Sequence, residues 1–462
     1  TVLPSECDVN PTPMKALDLV GERDIASIPA LPALKGAKGF SVTAYVKLDS
    51  IQHSFSQLLS NWSSDVGFSF GFAFRGYAKN TNLTFYWNNV PYQLESKFNL
   101  PIGEWTHIAL TVDTNKVTLY VNGEPWEYKN ANADFKHFDF SKTPWEIGGG
   151  LPGQGGNYRG KIDELKLYNR TLSQREIRDN MHLILPAASD TSVVAYYQFN
   201  ESKDARFYNR IGGLHSENGG GKLILSTAPV AAGVSQRLSI KDGTSKFPIP
   251  GISLGVKDNT EREVVISRLM TTPYEPPFGA PKITSNYWII HSWGTNKTMN
   301  VDSIVFSKIG QISQQDGNSP TSFILYKRPA NDDRNLWSVV SYGVIADSVN
   351  QSVSFGADSN AVGQYIITNS GTSTLGVEES LLDPQSALQV IPNPTNGLAT
   401  VILKGEFPAT LRVLNSIGQI VFEQQVNDRS FTLDMQAYPA GNYVVQVTRG
   451  TTVTSGKIML MK

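Results

Sequence analysis

Residues 160–180 read GKIDELKLYNRTLSQREIRDN, and they constrain this chain more than any other stretch. Ile162, Leu165 and Leu167 are set against Asp163, Glu164 and Lys166, the alternation of a half-buried strand. Asn169-Arg170 follows, and then Ser173 stands three residues before Glu176. That spacing is a capping box, and the run SQREIRDNMHL behind it can form about two helical turns. A strand that passes into a short capped helix, after many other strands, suits the last strand of a sandwich pinned by its helix.

The rest of the chain reads as strands too. Ala16–Gly21, Ile25–Pro29, Phe40–Val46, Phe68–Phe74, Leu83–Trp87, Trp105–Val112 and Val117–Val121 are short alternating or apolar segments with turn signals between them. Asn122-Gly123 supplies a type I′ hairpin turn. Such spacing predicts a β-sandwich or jelly roll. Gly and Pro are plentiful and helical periodicity is scarce, so the fold class expected throughout is all-β. With 462 residues, about three domains are expected.

Lys plus Arg (40) nearly balances Asp plus Glu (41). This leaves no electrostatic footprint for nucleic acid or an anionic membrane surface. No run of about eighteen apolar residues suggests a transmembrane segment. The sequence opens on Thr1, so the expectation is either that a signal peptide has been removed or that the sequence simply begins here. Cys7 is the single cysteine, which rules out an intrachain disulfide and a thiolate metal site. The residues before it do not make a convincing lipid-attachment sequence.

Several of these segments carry a family resemblance. Ala16–Gly21 through Ile28, then Glu104–Val112 with Leu119-Tyr-Val-Asn-Gly123, then Gly160–Ser173 appear in the order found in laminin G-like, concanavalin A-type jelly rolls. Ala195-Tyr-Tyr-Gln-Phe-Asn-Glu201 resembles an opening strand of the same family, and is read as completing the sandwich or as a vestigial second copy. Farther on, Ile391-Pro392-Asn393-Pro394-Thr-Asn-Gly397, the Gly418 hairpin, Gly441-Asn-Tyr443 and Lys457-Ile-Met-Leu-Met461 resemble, motif by motif, a type A C-terminal sorting domain of type 9 secretion cargo of Bacteroidetes-type bacteria. The expected organisation is a tail (1–15), a laminin G-like domain with closing strands (16–234), a β-sandwich spacer (235–372), a linker (373–387) and a small seven-strand sandwich (388–462). Ala228–Gly233 reads as linker. The second resemblance implies export across the outer membrane to the cell surface or extracellular space. Its implied partners are the type 9 translocon and the outer-membrane shuttle barrel, engaged through residues 388–462.

The first resemblance also implies a structural calcium ion near the first turn and the Gly-x-Ile-Asp strand. Carried over by position, the ligands are Asp24, Asp163 and the Gly21 carbonyl. The family often has an acidic residue where this chain has Val20. Sugar binding would rest on aromatic faces, and Trp62, Tyr86, Trp87 and Tyr92 sit in or beside turns of the first domain. Asp-Ser-Ile/Val triplets at Ser50, Ser303 and Ser348 resemble the O-glycosylation acceptor of these bacteria.

Catalysis is not expected. Glucanases of the superfamily use Glu-x-Asp-x-x-Glu, which sets two carboxylates about 5–5.5 Å apart, and no such string occurs. Asp163 and Glu164 are adjacent and should point to opposite faces of a strand. The six histidines suggest neither a triad nor a clustered zinc site. The glycine run 148–156 lacks the Lys-Ser/Thr end of a phosphate cradle and reads as a rim loop. The expectation is a non-catalytic, secreted surface protein that binds a glycan or adheres. The alternatives are a structural component that meets another surface protein without sugar, and a carbohydrate-active enzyme with an unrecognised site.

Overall fold

The computed structural model describes residues 15–375 and 388–460, apart from 22–23, 54–55, 63–66, 73–80, 88–91, 131–140, 150–156, 185–189, 202, 204, 258–259, 281, 297, 392–394, 396, 404–407, 416–418, 428–429 and 450–451. Cys7 and most of the glycine run after Gly149 lie outside them. The chain is all-β and divides into two compact units, Thr1–Val377 and Glu378–Lys462.

The first unit opens with a two-sheet jelly roll. One sheet runs in the order Glu124–Asn130, Lys116–Val121, Trp105–Asp113, Gly39–Leu48, Gly160–Tyr168, Lys15–Leu19, Lys222–Leu225. Val193–Tyr197 also pairs with Gly160–Tyr168, beside its second half, so the 193–225 segment completes the sandwich. The other sheet runs Arg206–Phe207, Ser216–Asn218, Ala26–Ile28, Trp145–Ile147, Ser56–Trp62, Gly67–Phe72, Asn82–Trp87, Tyr92–Asn99. Both sheets feed one core. Val42, Val46, Ile108, Leu110, Ile162 and Leu167 meet Ile28, Leu59, Phe85, Trp145 and Ile147. The Phe40 and Trp145 rings stack 5.5 Å apart. Asn122 and Gly123 have φ of 48° and 75°, as a type I′ turn requires at both central positions.

The expected capped helix is present at Gln174–Asn180. The Ser173 hydroxyl accepts from the Glu176 amide, and the Glu176 carboxylate accepts from the Ser173 amide. Ile177 turns inward onto Ala109, Tyr120, Tyr168 and Leu172. Those residues lie on the outer face of the first sheet, so this face is covered as well. Strand Gly160–Tyr168 is accordingly buried almost end to end, with no solvent-facing side.

A second sandwich follows within the same unit. It is one antiparallel path of ten strands, Gly233–Ile240 at one end and Gly243–Phe247 at the other. Ser338–Asp347 pairs with Phe323–Arg328 on one side and Ser352–Phe355 on the other, and the path folds over at this strand. Val264, Ile266, Trp288 and Ile290 from one half pack on Leu254, Ile304, Phe306 and Phe355 from the other. Ala228–Gly233, read as linker, is buried: Ala231 donates to the His182 carbonyl and packs among Leu183, Leu269, Tyr287 and Ile289. Small apolar residues fit there because two sheets close over them.

The second unit holds a three-strand and a four-strand sheet around one core that includes Val401, Leu411, Val413, Val445 and Ile458, the small seven-strand sandwich expected.

Replacing Ser173 with Ala removes the hydroxyl half of the capping box and leaves the backbone amide that donates to Glu176. It is expected to destabilise the first unit by about 1 kcal/mol, and Ser173→Thr to recover most of that, measured as shifts of the urea midpoint.

Candidate functional site

The strand at the centre of the jelly roll is irregular at its charged residues. Glu164 has φ of 52°, and the pairing with Gly39–Leu48 slips between Asp163 and Lys166. Glu164 and Leu165 together oppose Ala44, a β-bulge whose first residue is left-handed. The inserted residue changes the face. Ile162, Leu165 and Leu167 all point into the core, while Asp163, Glu164 and Lys166 share the outer face. The expectation that Asp163 and Glu164 point to opposite faces is therefore corrected. The signal was in the sequence: Ile162 and Leu165 are three residues apart, one too many for strict alternation.

Both carboxyl groups are buried and engaged. Ser226 donates to Asp163 at 2.5 Å and the Glu164 amide donates to its other oxygen at 2.8 Å. Tyr196 and Gln198 donate to Glu164, and the Lys166 ammonium stands 3.5 Å from it. Burial and the neighbouring Glu164 hold the Asp163 carboxyl well above the usual carboxylate range. Burial, with the Glu164 charge, pushes the Tyr196 hydroxyl well up too.

This polar layer abuts the seam between the two sandwiches. His182, just past the helix, accepts at Nε2 from His291 Nε2 of the second sandwich, 2.8 Å away. The proton assignment follows from the other ring nitrogen. Nδ1 of His182 lies 2.7 Å from the Pro229 carbonyl, which can only accept, so Nδ1 carries the hydrogen and Nε2 does not. The rings of His182, His291 and Trp293 stack at 5.0 and 5.4 Å, and the Arg178 guanidinium lies 4.5 Å from the Trp293 ring centre. Arg178 and Arg237 tie Glu124, Asp179 and Glu263 across the same seam, and Lys47 and Thr227 reach Asp333. Neither the histidine contact nor the seam was legible in the sequence, since the two histidines are 109 residues apart.

The aromatic residues expected to bind sugar sit at one end of the second sheet. Trp62 pairs with Gly67, Phe68 with Trp87, Trp87 with Tyr92, and Tyr86 with Gln93. The backbone register thus places Trp87 directly between Phe68 and Tyr92, with Trp62 one strand farther along. The side chains of Trp62, Tyr86, Trp87 and Tyr92, and the turns 63–66 and 88–91, lie outside the described residues.

The residues carried over for calcium are not brought into one ligand set. Asp24 closes its own turn: the Gly21 and Val20 amides donate to its carboxylate at 2.7 and 3.2 Å, and the Gly21 carbonyl accepts from Asp24. Asp163 is buried against Ser226 at the seam. Among the described residues no group of three His, Cys, Asp or Glu is placed to hold a metal ion.

In the small sandwich, Gly397 and Gly441 have φ of 137° and 154°. A Cβ at Gly397 would fall 2.6 Å from the Gln436 side chain, which explains glycine there. Tyr443 is buried and donates to the Pro439 carbonyl at 2.7 Å. Lys457 pairs with Val444. Pro392, Asn393, Pro394 and Gly418 lie outside the described residues, as does the Lys457 side chain. Of the three acceptor-type serines, Ser50 is exposed, and Ser303 and Ser348 are partly so; Ser303 donates to Asp302.

Residues 21–178 match the family model of the concanavalin A-like lectin/glucanases superfamily, and residues 389–461 match the secretion system C-terminal sorting domain. The sorting domain marks the chain for type 9 export to the cell surface or extracellular space. No helix among the described residues is long and apolar enough to cross a membrane. No curated protein matches the sequence. Solved structures match in part. A putative carbohydrate binding protein from Bacteroides ovatus is 20% identical with a TM-score of 0.39, covering 47% of this chain, which spans 61% of that one. Domain 4 of a GH43 extracellular arabinanase from Geobacillus stearothermophilus, in complex with arabinotriose, is 22% identical with a TM-score of 0.29, over 35% and 74% of the two chains. A SAP-like pentraxin from Limulus polyphemus is 12% identical with a TM-score of 0.32, over 46% and 96%.

The seam makes the first unit acid-sensitive. Burial lowers His107 to about 3 and His182 to about 4, and holds His291 well below its ordinary value. Between about pH 6.5 and pH 4 the unfolded chain binds protons at these three sites and the folded chain does not, so stability falls as pH falls. Asp163, raised by burial, acts in the opposite direction, as one group against three. Thermal unfolding of residues 1–377 is expected at steadily lower temperature across that window. His291→Gln, which can still donate to His182, is expected to flatten the slope by up to about 1.4 kcal/mol per pH unit.

Proposed function

We propose that this is a non-catalytic surface protein whose jelly roll binds glycan, or adheres through it, after type 9 export. The observation that carries this reading is the strand register that lines up Phe68, Trp87 and Tyr92 in one row at one end of the second sheet, with Trp62 next to that row on the adjoining strand. Aromatic faces offer apolar surface to sugar C–H groups, and Asn88 and Asn89 follow Trp87 in the sequence. The match of residues 21–178 to a superfamily of lectins and glucanases supports the same class of ligand.

The absence of Glu-x-Asp-x-x-Glu from the sequence favours binding over hydrolysis. So does the state of Asp163 and Glu164. They share a face, yet both lie under the seam with their oxygens taken, at 0% and 3% exposure. A carboxylate pair that cleaves a glycosidic bond has to reach the substrate.

A glycan array probed with the full chain is expected to give hits that Trp87→Ala and Tyr92→Ala each weaken by about tenfold or more, in variants that circular dichroism shows to be folded. An array without hits, or binding indifferent to both changes, sinks the reading. Release of reducing ends from a bound polysaccharide would turn it toward an enzyme.

A further inference from the structure

The second sandwich carries an apolar face that only part of the seam covers. Ile366 packs among Leu183, Ala231, Leu269, Tyr287 and Ile289, with Tyr326 and Trp337 at the margin. The register continues the row outward. Ile366 opposes Tyr326, and Tyr326 opposes Val339; one step along, Thr368 opposes Ile324, and Ile324 opposes Tyr342. Directly opposed residues in antiparallel strands share a face. Val339 and Tyr342 therefore extend the buried seam into solvent, where they are 48% and 54% exposed. Val344 and Ile345 follow on the same strand at 58% and 63%, and Leu336, just before the strand, is 51% exposed. Val340 and Ala346 of the same strand point the other way, into the core.

The composition of this face is unusual for a solvated one. From Ser338 to Phe355 the sequence is SVVSYGVIADSVNQSVSF, and Asp347 is its only Asp, Glu, Lys or Arg. Asp347 accepts from the Val349 and Asn350 amides and from the Asn350 side chain, so its carboxylate is held in the turn at the end of the strand. Solvated β surface is normally guarded by charges, lysine above all. A contiguous apolar patch left without them marks an interaction surface.

We propose that this face, centred on Val339, Tyr342 and Val344, is where a second copy of the chain docks, two-fold symmetrically. A self-complementary contact sets each residue near its own counterpart, so any charge on the face meets a like charge. A strand whose one carboxylate sits in the turn at its end, away from Val339 and Tyr342, avoids that penalty at the centre of the contact. It offers nothing for a strongly charged partner to recognise. Its residues are mostly aliphatic, suited to packing against an identical sheet, and it continues a sheet face that already packs on protein at the seam.

The test is sedimentation of the full chain over a range of concentrations, under reducing conditions so that Cys7 cannot cross-link copies. The wild type is expected to show a monomer–dimer equilibrium. Tyr342→Lys and Val344→Lys are each expected to weaken it by about tenfold or more, because each sets like charges together at the two-fold, while leaving the unfolding temperature unchanged. In a Cys7→Ser background, Tyr342→Cys is expected to form a disulfide-linked dimer on mild oxidation. A wild type that stays monomeric at every concentration overturns the proposal, as does a dimer that both lysine variants leave intact. Capture of a different protein by a monomeric chain would assign the face to that protein instead. None of these readouts depends on sugar.

Discussion

The first unit depends on one constraint: the central sheet of the jelly roll is apolar on both faces. Its inner face is the ordinary sandwich core. Its outer face carries Tyr45, Trp105, Tyr120 and Tyr168, none more than 7% exposed. Leaving such large side chains wet would cost about 1.5–3 kcal/mol each. The capped helix covers Tyr120 and Tyr168. The segments around Ile184 and Ala228–Val230 cover Tyr45 and Trp105. The second sandwich then closes over those segments, so the seam is a consequence of a sheet that cannot stand alone.

The charged residues of the central strand are accommodated within that constraint. One extra residue at Glu164 sets that acid and Lys166 on the outer layer beside Asp163, where Tyr196, Gln198 and Ser226 satisfy the two acids and Lys166 pairs with Glu164. Beside them the stack from Arg178 through Trp293 and His291 to His182 crosses from the first sandwich into the second and back again. Each neutral imidazole is fixed by what the next group can accept. Buried polar groups of this kind specify a single docking only if all of them are satisfied. Their dependence on neutral histidine is what joins the integrity of the seam to pH.

Export and contact are assigned to different parts of the chain. Residues 389–461 match a sorting domain and form their own core. The jelly roll has its aromatic strand ends at one end of the second sheet, away from the central strand and its buried acids. The second sandwich presents both a covered face, at the seam, and its uncharged continuation. On the proposed reading, a chain organised this way separates its export address from its contact surfaces.

The all-β class, the strands, the capping box at Ser173 and Glu176, the type I′ turn at Asn122-Gly123 and the small sandwich at the end were legible from sequence. They depend on neighbours a few residues apart, through periodicity, turn chemistry and caps. The bulge was half legible, in the three-residue step from Ile162 to Leu165, but which face its acids took depended on the partner strand. The contact of His182 with His291, the burial of Ala228–Gly233 and the row from Ile366 to Tyr342 were decided only by tertiary structure. They join residues far apart in the chain, and alternation states which side of a strand is apolar without stating what will cover it.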